Sequence, residues 1–318
     1  MVPYNIGYKE LKMERRLLID GNHLAGRSWA VMQELMTSSG NHSGAVFGVL
    51  KGLSYARKEF GVDFKNMIVC WDTGRCARRM EILPDYKAGR RPENPTPEEE
   101  ESRLAYITQL KALRYGVAVL GCRQSWEAGV EADDLIGILS RTFMGFGCQA
   151  IIYSGDKDFH QLVTPLCLIH DPKKGILTES IILEHWGVDS LEKIIWYKSM
   201  VGDSDNIDGI YGIGDVRAQN ILRHLDLNDP WKLPPDVPEK QIKHYQKFLD
   251  NRTIVERNIE LIRIPTTAPE AIQRSLYTSD QMINALERAQ TCHRDDVELL
   301  KFLKMWELES QLNLTGVF

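Results

Sequence analysis

The sequence lacks any apolar stretch approaching the roughly 20 residues of a membrane span, so no membrane segment is expected. Its opening residues, MVPYNIGYKELKMERR, have no apolar core and do not read as a signal peptide; residues 1–14 are expected to form an arm. Cysteine is sparse and scattered, at 70, 76, 122, 148, 167 and 292, without a C-x-x-C pair. That excludes the usual zinc spacings and suits reduced thiols used as core filler in a cytoplasmic protein. The eight histidines form no H-E-x-x-H or other ligand spacing and each reads as structural or surface. No Walker A loop exists, so ATP hydrolysis is unsupported. Gly145–Ala150 satisfies G-x-G-x-x-A but precedes a strand, whereas a dinucleotide fingerprint follows one. No repeat recurs at periods of about 20–50 residues. The chain also lacks a positive charge balance: net −5 argues against global affinity for nucleic acid, although net charge hides distribution.

What is present is a recurring pattern of apolar strands that end in acids. Arg15–Gly21 (RRLLIDG), Met67–Asp72 (MIVCWD) and Gln149–Ser154, followed by Asp156 and Asp158, share it. A further strand is expected at 166–170 and another at 117–120; helices are expected over 44–60 and 99–113. Alternating strands and helices imply an α/β fold with a central, mainly parallel sheet covered on both faces, with ligands beyond the carboxyl ends of the strands. A lone strand-terminal Asp is usually a turn residue or helix cap. Several together point elsewhere, above all beside Gly129–Leu139 (GVEADDLIGIL), where Glu131, Asp133 and Asp134 open an apolar-periodic helix. Packed carboxylates raise one another's pKa unless a cation neutralises them, and a hard divalent ion with oxygen ligands does so economically.

From about residue 190 the texture changes to helices joined by short glycine-containing links, at 191–200, 215–225, 239–249 and 253–262, with more near 279–290 and 295–308. Gly209–Gly214 (GIYGIG) forms a tight turn that would let a phosphate approach the backbone. The alternative is an ordinary helix–turn–helix with glycine caps. Between Thr73 and Arg91 six basic residues (Arg75, Arg78, Arg79, Lys87, Arg90, Arg91) face only Glu81 and Asp85. This is either a solvated loop or a phosphate-gripping lid, with Tyr86 available to stack on a base.

LLIDGNHL, IVCWDTGR, LPDYKAGR, GVEADDLIG, YSGDKDFHQLV and GDSDNIDGIYGIG, in this order, resemble the flap endonuclease (5′ nuclease) family. The chain is most similar to bacteriophage 5′–3′ exonucleases and to the 5′ nuclease domain of bacterial DNA polymerase I, over about residues 15–262. The resemblance implies a PIN-like nuclease domain at 15–190 with an arch at about 75–105. A helix–three-turn–helix DNA-binding module at 191–265 and a C-terminal helical segment at 266–318 would follow. It implies Mg²⁺, two ions or more with Mn²⁺ able to substitute, held by Asp20, Asp72, Glu131, Asp133 and Asp134 and by Asp156, Asp158, Asp203 and Asp205. Lys87 and Arg27 would be the active-site cations and Tyr86 the aromatic at the arch base. Arg78, Arg79, Arg90, Arg91, Gly209, Gly212, Gly214 and Arg217 would contact DNA, with K⁺ an optional ligand of the 209–214 hairpin.

The expected activity is 5′–3′ exonuclease and flap endonuclease cleavage by a two-metal mechanism, on DNA with 5′ flaps, nicks or ends or on RNA–DNA hybrids, leaving 5′-phosphates. The enzyme is expected to be a free-standing cytoplasmic monomer, in host cytoplasm if phage-encoded. The rival readings are a catalytically inactive DNA-binding relative, against which the retained acids speak, and a ribonuclease on the same sheet. Two departures from the family pattern stand out. Gly202–Asn206 (GDSDN) is one residue shorter than the usual GDxxDN, and Val216-Arg217 replaces Lys-Arg after the hairpin.

Overall fold

The computed structural model describes residues 13–90, 92, 94–267 and 296–308. Its centre is a six-stranded sheet in the order β3-β2-β1-β4-β5-β6. The strands are β1 (Arg15–Asp20), β2 (Met67–Cys70), β3 (Arg123–Ser125), β4 (Gln149–Tyr153), β5 (Cys167–Asp171) and β6 (Gly175–Leu177). All neighbours run parallel except β6, which returns antiparallel to β5.

Side-chain alternation in the buried strands divides the core in two, as period-2 geometry requires. Leu17, Ile19, Met67, Val69, Ile151 and Tyr153 face one layer, with α2 (Gly44–Phe60) and the C-terminal half of α4 (Pro97–Val119). Leu18, Ile68, Ala150, Ile152 and Ile169 face the other, against α5 (Ala132–Gly145). Burial on both faces explains why these strands are continuous apolar runs. The described cysteines, 70, 76, 122, 148 and 167, are buried.

The strand expected at 117–120 is instead the end of α4. A capping box, Thr96 with Glu99, and a proline at the first turn start this helix, and Gln109, Leu113, Gly116 and Val117 bury one face. Two valines at 117 and 119 imitate a strand, but their burial continues the helical period. The true edge strand, β3, is the polar Arg-Gln-Ser at 123–125, and helix α1 (Gly21–Val31) was not anticipated.

The second part is helical. Helices α6 (Glu179–Trp186), α7 (Glu192–Val201), α8 (Asp215–His224), α9 (Glu239–Asp250) and α10 (Arg252–Ile262) follow the sheet. Trp196, Met200, Ile213, Leu222, Phe248 and Val255 make a separate core among the last four. Buried Asn258 donates to the carbonyls of Ser199 and Asp208, both at 2.9 Å, which ties α10 to the end of α7 and the turn after it. A helix at Asp296–Met305, α11, packs Leu299, Phe302 and Leu303 into the first core beside α4. The helix expected near 279–290 lies outside the described residues. Short α3 (Ala77–Ile82) completes the set.

Candidate active site: two carboxylate cavities at the strand ends

The acids converge where β1 separates β2 from β4, the point at which strand order reverses and the carboxyl ends leave a crevice. Each strand-terminal acid also fixes the element that follows. Asp20 Oδ1 accepts from the His23 amide at 2.9 Å and caps α1. Asp72 Oδ1 accepts from the Ala132 amide at 2.8 Å and so captures the start of α5. Asp156 Oδ1 accepts from the Asp158 amide at 2.9 Å. The cap reading and the ligand reading therefore hold together, because each cap uses one carboxylate oxygen.

One cavity, of about 320 Å³, is lined by Asp20, Asp72, Glu131, Asp133 and Asp156, with Lys87, Arg90, His23, Asn22 and Tyr106. A second, of about 470 Å³, is lined by Asp156, Asp158, Asp203 and Asp205, with Lys198, Arg90, His23 and Tyr197 among others. Asp156, His23 and Arg90 belong to both. Burial, and then the neighbouring Asp72, push the Asp20 carboxyl well above its usual range. Burial likewise raises Asp72. Crowded carboxylates with raised pKa values and hard oxygen donors are what a divalent cation would relieve, so this donor set fits Mg²⁺ or Mn²⁺.

The segment 75–90 is not the open lid that its charge suggested. Arg79 is buried at 1% exposure. It donates to Glu131 Oε2 at 2.6 Å, to both oxygens of Asp134 at 3.0 and 2.7 Å, and through Nε to the Leu261 carbonyl at 2.8 Å. The DNA-contact expectation for Arg79 is thereby corrected: its fork is consumed inside the protein. Tyr86 is corrected in the same way. It is 3% exposed, and its hydroxyl donates to Glu131 Oε2 at 3.0 Å, so its ring has no open face for a base. Arg78 is half-buried and donates to the Glu260 carbonyl at 2.7 Å. Asp134, placed with the metal ligands by sequence, is fully buried under Arg79 and lines neither cavity. Burial lifts its carboxyl to about 6 against the pull of Arg79.

Lys87 does enter the cavity. It has a left-handed backbone (φ 57), and its ammonium lies 2.6 Å from Glu131 Oε1 and 3.6 Å from Asp205. Burial alone would lower the Lys87 pKa, but Glu131 outweighs it and the value is raised, so the lysine is a fixed cation. Arg90 pairs with Asp205 at 2.6 Å while remaining largely exposed, and Arg91 lies outside the described residues. Arg27 stands with its guanidinium over Gly155, at the mouth of β4.

The shortened Gly202–Asn206 motif is no longer helical. Gly202 (φ 92) breaks α7, and Gly202-Asp203 pairs antiparallel with Ile207-Asp208. Residues 204–206 form the turn between these short strands, and Asp203, on the strand, and Asp205, in the turn, both line the larger cavity. Asp203 and Asp158 share an ion pair with Lys198. Burial raises the Asp158 carboxyl to about 6; for Asp203 burial is outweighed by Lys198 and its pKa is lowered. Gly209, Gly212 and Gly214 form the next turn. Gly212 takes φ 75, its carbonyl accepts from Arg217, and Gly214 caps α8. Tyr211 at its tip is 92% exposed beneath Lys247.

Sequence reasoning passed over His23 and Lys198. His23 is the third residue of α1, and the fixed offset from a strand-terminal cap was the available signal. Lys198 lies on α7 five residues before Asp203, and nothing local marks it.

Strand order, strand-end acids and helical extension define an α/β domain of PIN-like architecture with an acidic cleft at the carboxyl ends of its strands. The chain belongs to the 5′–3′ exonuclease family: the model for its N-terminal resolvase-like domain matches residues 15–187. It is 32% identical over 266 residues to the thermostable DNA polymerase I of Thermus thermophilus, covering 80% of this chain and 29% of the polymerase. DNA polymerase I of Bacillus subtilis is 30% identical over 265 residues, 80% of this chain and 28% of that protein. The chain thus spans under a third of these curated relatives. The T5 D15 protein co-crystallised with metal ions shares the fold at TM-score 0.71 and 24% identity, over 88% of this chain and 99% of that one. T5 5′-exonuclease with bound zinc matches at TM-score 0.71 and 23% identity, over 88% and 100%. A T5 D15 flap endonuclease complex with DNA and metal ions matches at 0.70 and 24%, over 88% and 99%. No helix among the described residues is long and apolar enough to cross a membrane.

Proposed function

We propose that this chain is a Mg²⁺-dependent 5′ nuclease, acting as 5′–3′ exonuclease and flap endonuclease and leaving 5′-phosphates. The observation that carries the reading is the convergence of Asp20, Asp72, Glu131, Asp133 and Asp156 on one cavity and of Asp156, Asp158, Asp203 and Asp205 on the next, with Lys87 in the first and Arg90 shared by both. Those carboxylates would hold the divalent ions; bound there, such ions supply Lewis-acid stabilisation of a phosphodiester and activate water. The chain's own residues do the rest. Lys87, fixed by Glu131, presents positive charge where a scissile phosphate would gather negative charge. Arg90, which lines both cavities, and Arg27, over Gly155, would serve incoming phosphates. Gly209, Gly212, Gly214 and Arg217 offer backbone and guanidinium to a duplex strand, with K⁺ as an optional bridge. On the same reading RNA–DNA hybrid ends are a second substrate class and the protein acts as a monomer.

The test is direct. Purified full chain is incubated with 5′-labelled flap, nicked and single-stranded DNA, with Mg²⁺, Mn²⁺ or EDTA. Mg²⁺-dependent release of 5′-phosphorylated products is expected. Tight binding without cleavage under every metal would identify an inactive DNA-binding relative instead.

A further inference from the structure

We propose that His23 is a nitrogen ligand, which together with Asp20 and Asp156 gives this site a position that favours a transition ion (Mn²⁺, Co²⁺ or Zn²⁺) over Mg²⁺. The proposal rests on the metal-dependent reading above and refines it: the class of ion at one position is set by an imidazole.

Ligand atoms of Asp20, His23 and Asp156 all lie within 4.8 Å of one another. An ion bonded at about 2.0–2.2 Å holds ligand atoms within roughly 4.4 Å of each other, so a small side-chain adjustment suffices. The ring is held in place from its own backbone. His23 N–H donates to Asp20 Oδ1 at 2.9 Å, which locks the third residue of α1 beside the acid that caps it. His23 Nδ1 stands 3.8 Å from Asp156 Oδ2, and Nε2 is buried without a hydrogen-bond partner among the described residues. One ion takes one ring nitrogen: Nδ1, the nitrogen beside Asp156, is the ligand, and the proton then resides on Nε2. The ring lines both cavities, where a shared ligand would stand.

Donor chemistry gives the selectivity. Mg²⁺ prefers six oxygens and keeps several waters, whereas imidazole suits later first-row ions and zinc. A site built wholly of carboxylates would show the general affinity order alone. One imidazole should widen the gap between Co²⁺ or Mn²⁺ and Mg²⁺. A simple Asp156–His23 ion pair is the competing account, and it makes no such distinction between metals.

The experiment uses the full chain without DNA. Electron spin-echo envelope modulation with substoichiometric Mn²⁺ should show ¹⁴N coupling from imidazole in the wild type and lose it in His23→Gln. In titrations, His23→Gln should weaken Co²⁺ at least about tenfold, the lower end for losing a metal-site partner, while Mg²⁺ affinity changes far less. Circular dichroism and the thermal midpoint confirm that the variant folds. Bound Mn²⁺ without ¹⁴N coupling, coupling that survives in His23→Gln, or equal losses for Co²⁺ and Mg²⁺ would each overturn the proposal and leave the nuclease reading standing. Failure of the wild type to bind any divalent ion, with no cleavage, would remove both.

Discussion

Arg79 reaches Glu131 from inside the protein: its Nη1 lies 2.6 Å from Glu131 Oε2, with side-chain exposures of 2% and 5%. Tyr86 donates to the same oxygen and Lys87 to the other. Three residues of the segment 79–87 thus converge on one carboxylate, and the same guanidinium also grips Asp134 and the end of α10. Glu131 is therefore the point where the basic segment, the carboxylate helix and the helical part of the molecule meet.

Breaking that buried pair from one side should be expensive. Arg79→Met leaves Asp134 a buried charge without its cation, while Glu131 keeps Tyr86 and Lys87, and should cost about 3–5 kcal/mol in urea unfolding. The double variant Arg79→Met, Asp134→Leu removes the pair together and should recover most of that loss, because apolar replacements of buried pairs are often tolerated. Cleavage should stay impaired in the double variant, since Glu131 has lost the innermost of its three donors and is held only by Tyr86 and Lys87. Recovery of cleavage as well as stability would show that Arg79 serves Asp134 alone.

Asp20 and Asp134 should behave oppositely when changed to Asn. Asp20 carries a pKa well above its unfolded value, through burial and Asp72. The native state then binds its proton more tightly than the unfolded chain, so stability of the metal-free protein falls as pH rises from near 4 through the raised value. Asn removes that penalty. Metal-free Asp20→Asn should be as stable as wild type at pH 7 or more so, by on the order of 1 kcal/mol, and lose Mg²⁺-dependent cleavage. Asp134 is raised too, but only to about 6, so at pH 7 it is ionised against the buried Arg79; Asp134→Asn should lose stability because that guanidinium would be left short of its bidentate anion. Chemical denaturation in EDTA alongside turnover in Mg²⁺ separates them. A destabilised Asp20→Asn would contradict the crowding argument.

Much of this site was legible before the fold was known. Strand-terminal acids are readable because an apolar run fixes the strand and parallel topology fixes where its end points. The acid pair at 203 and 205 was readable as a loop, because a glycine and four turn-forming residues do not continue a helix. Arg79 and Tyr86 were not. A guanidinium sent inward to carboxylates that lie about 50 residues later looks, locally, like any other charge in a basic run. The misread strand at 117–120 has a related cause. Its valines favour a strand locally, and only the cap twenty residues earlier extends the helix over them.

Divalent metal should stabilise this protein, since it binds the folded arrangement and relieves repulsion among carboxylates already in place. Saturation at about 100 times Kd adds roughly 2.7 kcal/mol by mass action. Differential scanning fluorimetry with Mg²⁺ and then excess EDTA should show a reversible rise in the thermal midpoint. Asp72→Asn and Asp20→Asn should each shrink the rise, whereas Asp134→Asn should keep it despite a lower starting midpoint. A rise unchanged in Asp20→Asn would place the ion elsewhere.

Lys87 should act on the chemical step. Its ammonium is held by Glu131 and Asp205 on a left-handed backbone, a cost that a surface phosphate contact does not require. Lys87→Ala should slow single-turnover cleavage by about 10²–10³, typical for a stabiliser of transition-state charge. Affinity should change little. Weakened binding with a wild-type rate, and a salt dependence shallower by about one unit of slope, would reduce Lys87 to a grip on the backbone.

The shortened acid pair should divide its labour. Asp203 faces Asp158 through Lys198, deep in the second cavity, while Asp205 faces Arg90 and Lys87 at the base of the basic segment. The Asp205 carbonyl also accepts from the Lys87 amide at 3.0 Å, so the hairpin and the segment are joined by backbone as well as charge. Asp203→Asn should therefore raise the Mg²⁺ concentration for half-maximal cleavage, with Lys198 left to pair with Asp158 alone. Asp205→Asn should keep the metal requirement nearer wild type but slow cleavage at saturating Mg²⁺, because Lys87 and Arg90 lose a shared anchor. Measuring rate against Mg²⁺ for both variants gives two numbers for each, a maximum and a midpoint. If both variants shift the midpoint equally and leave the maximum alone, the two acids are equivalent metal ligands and the division of labour does not exist.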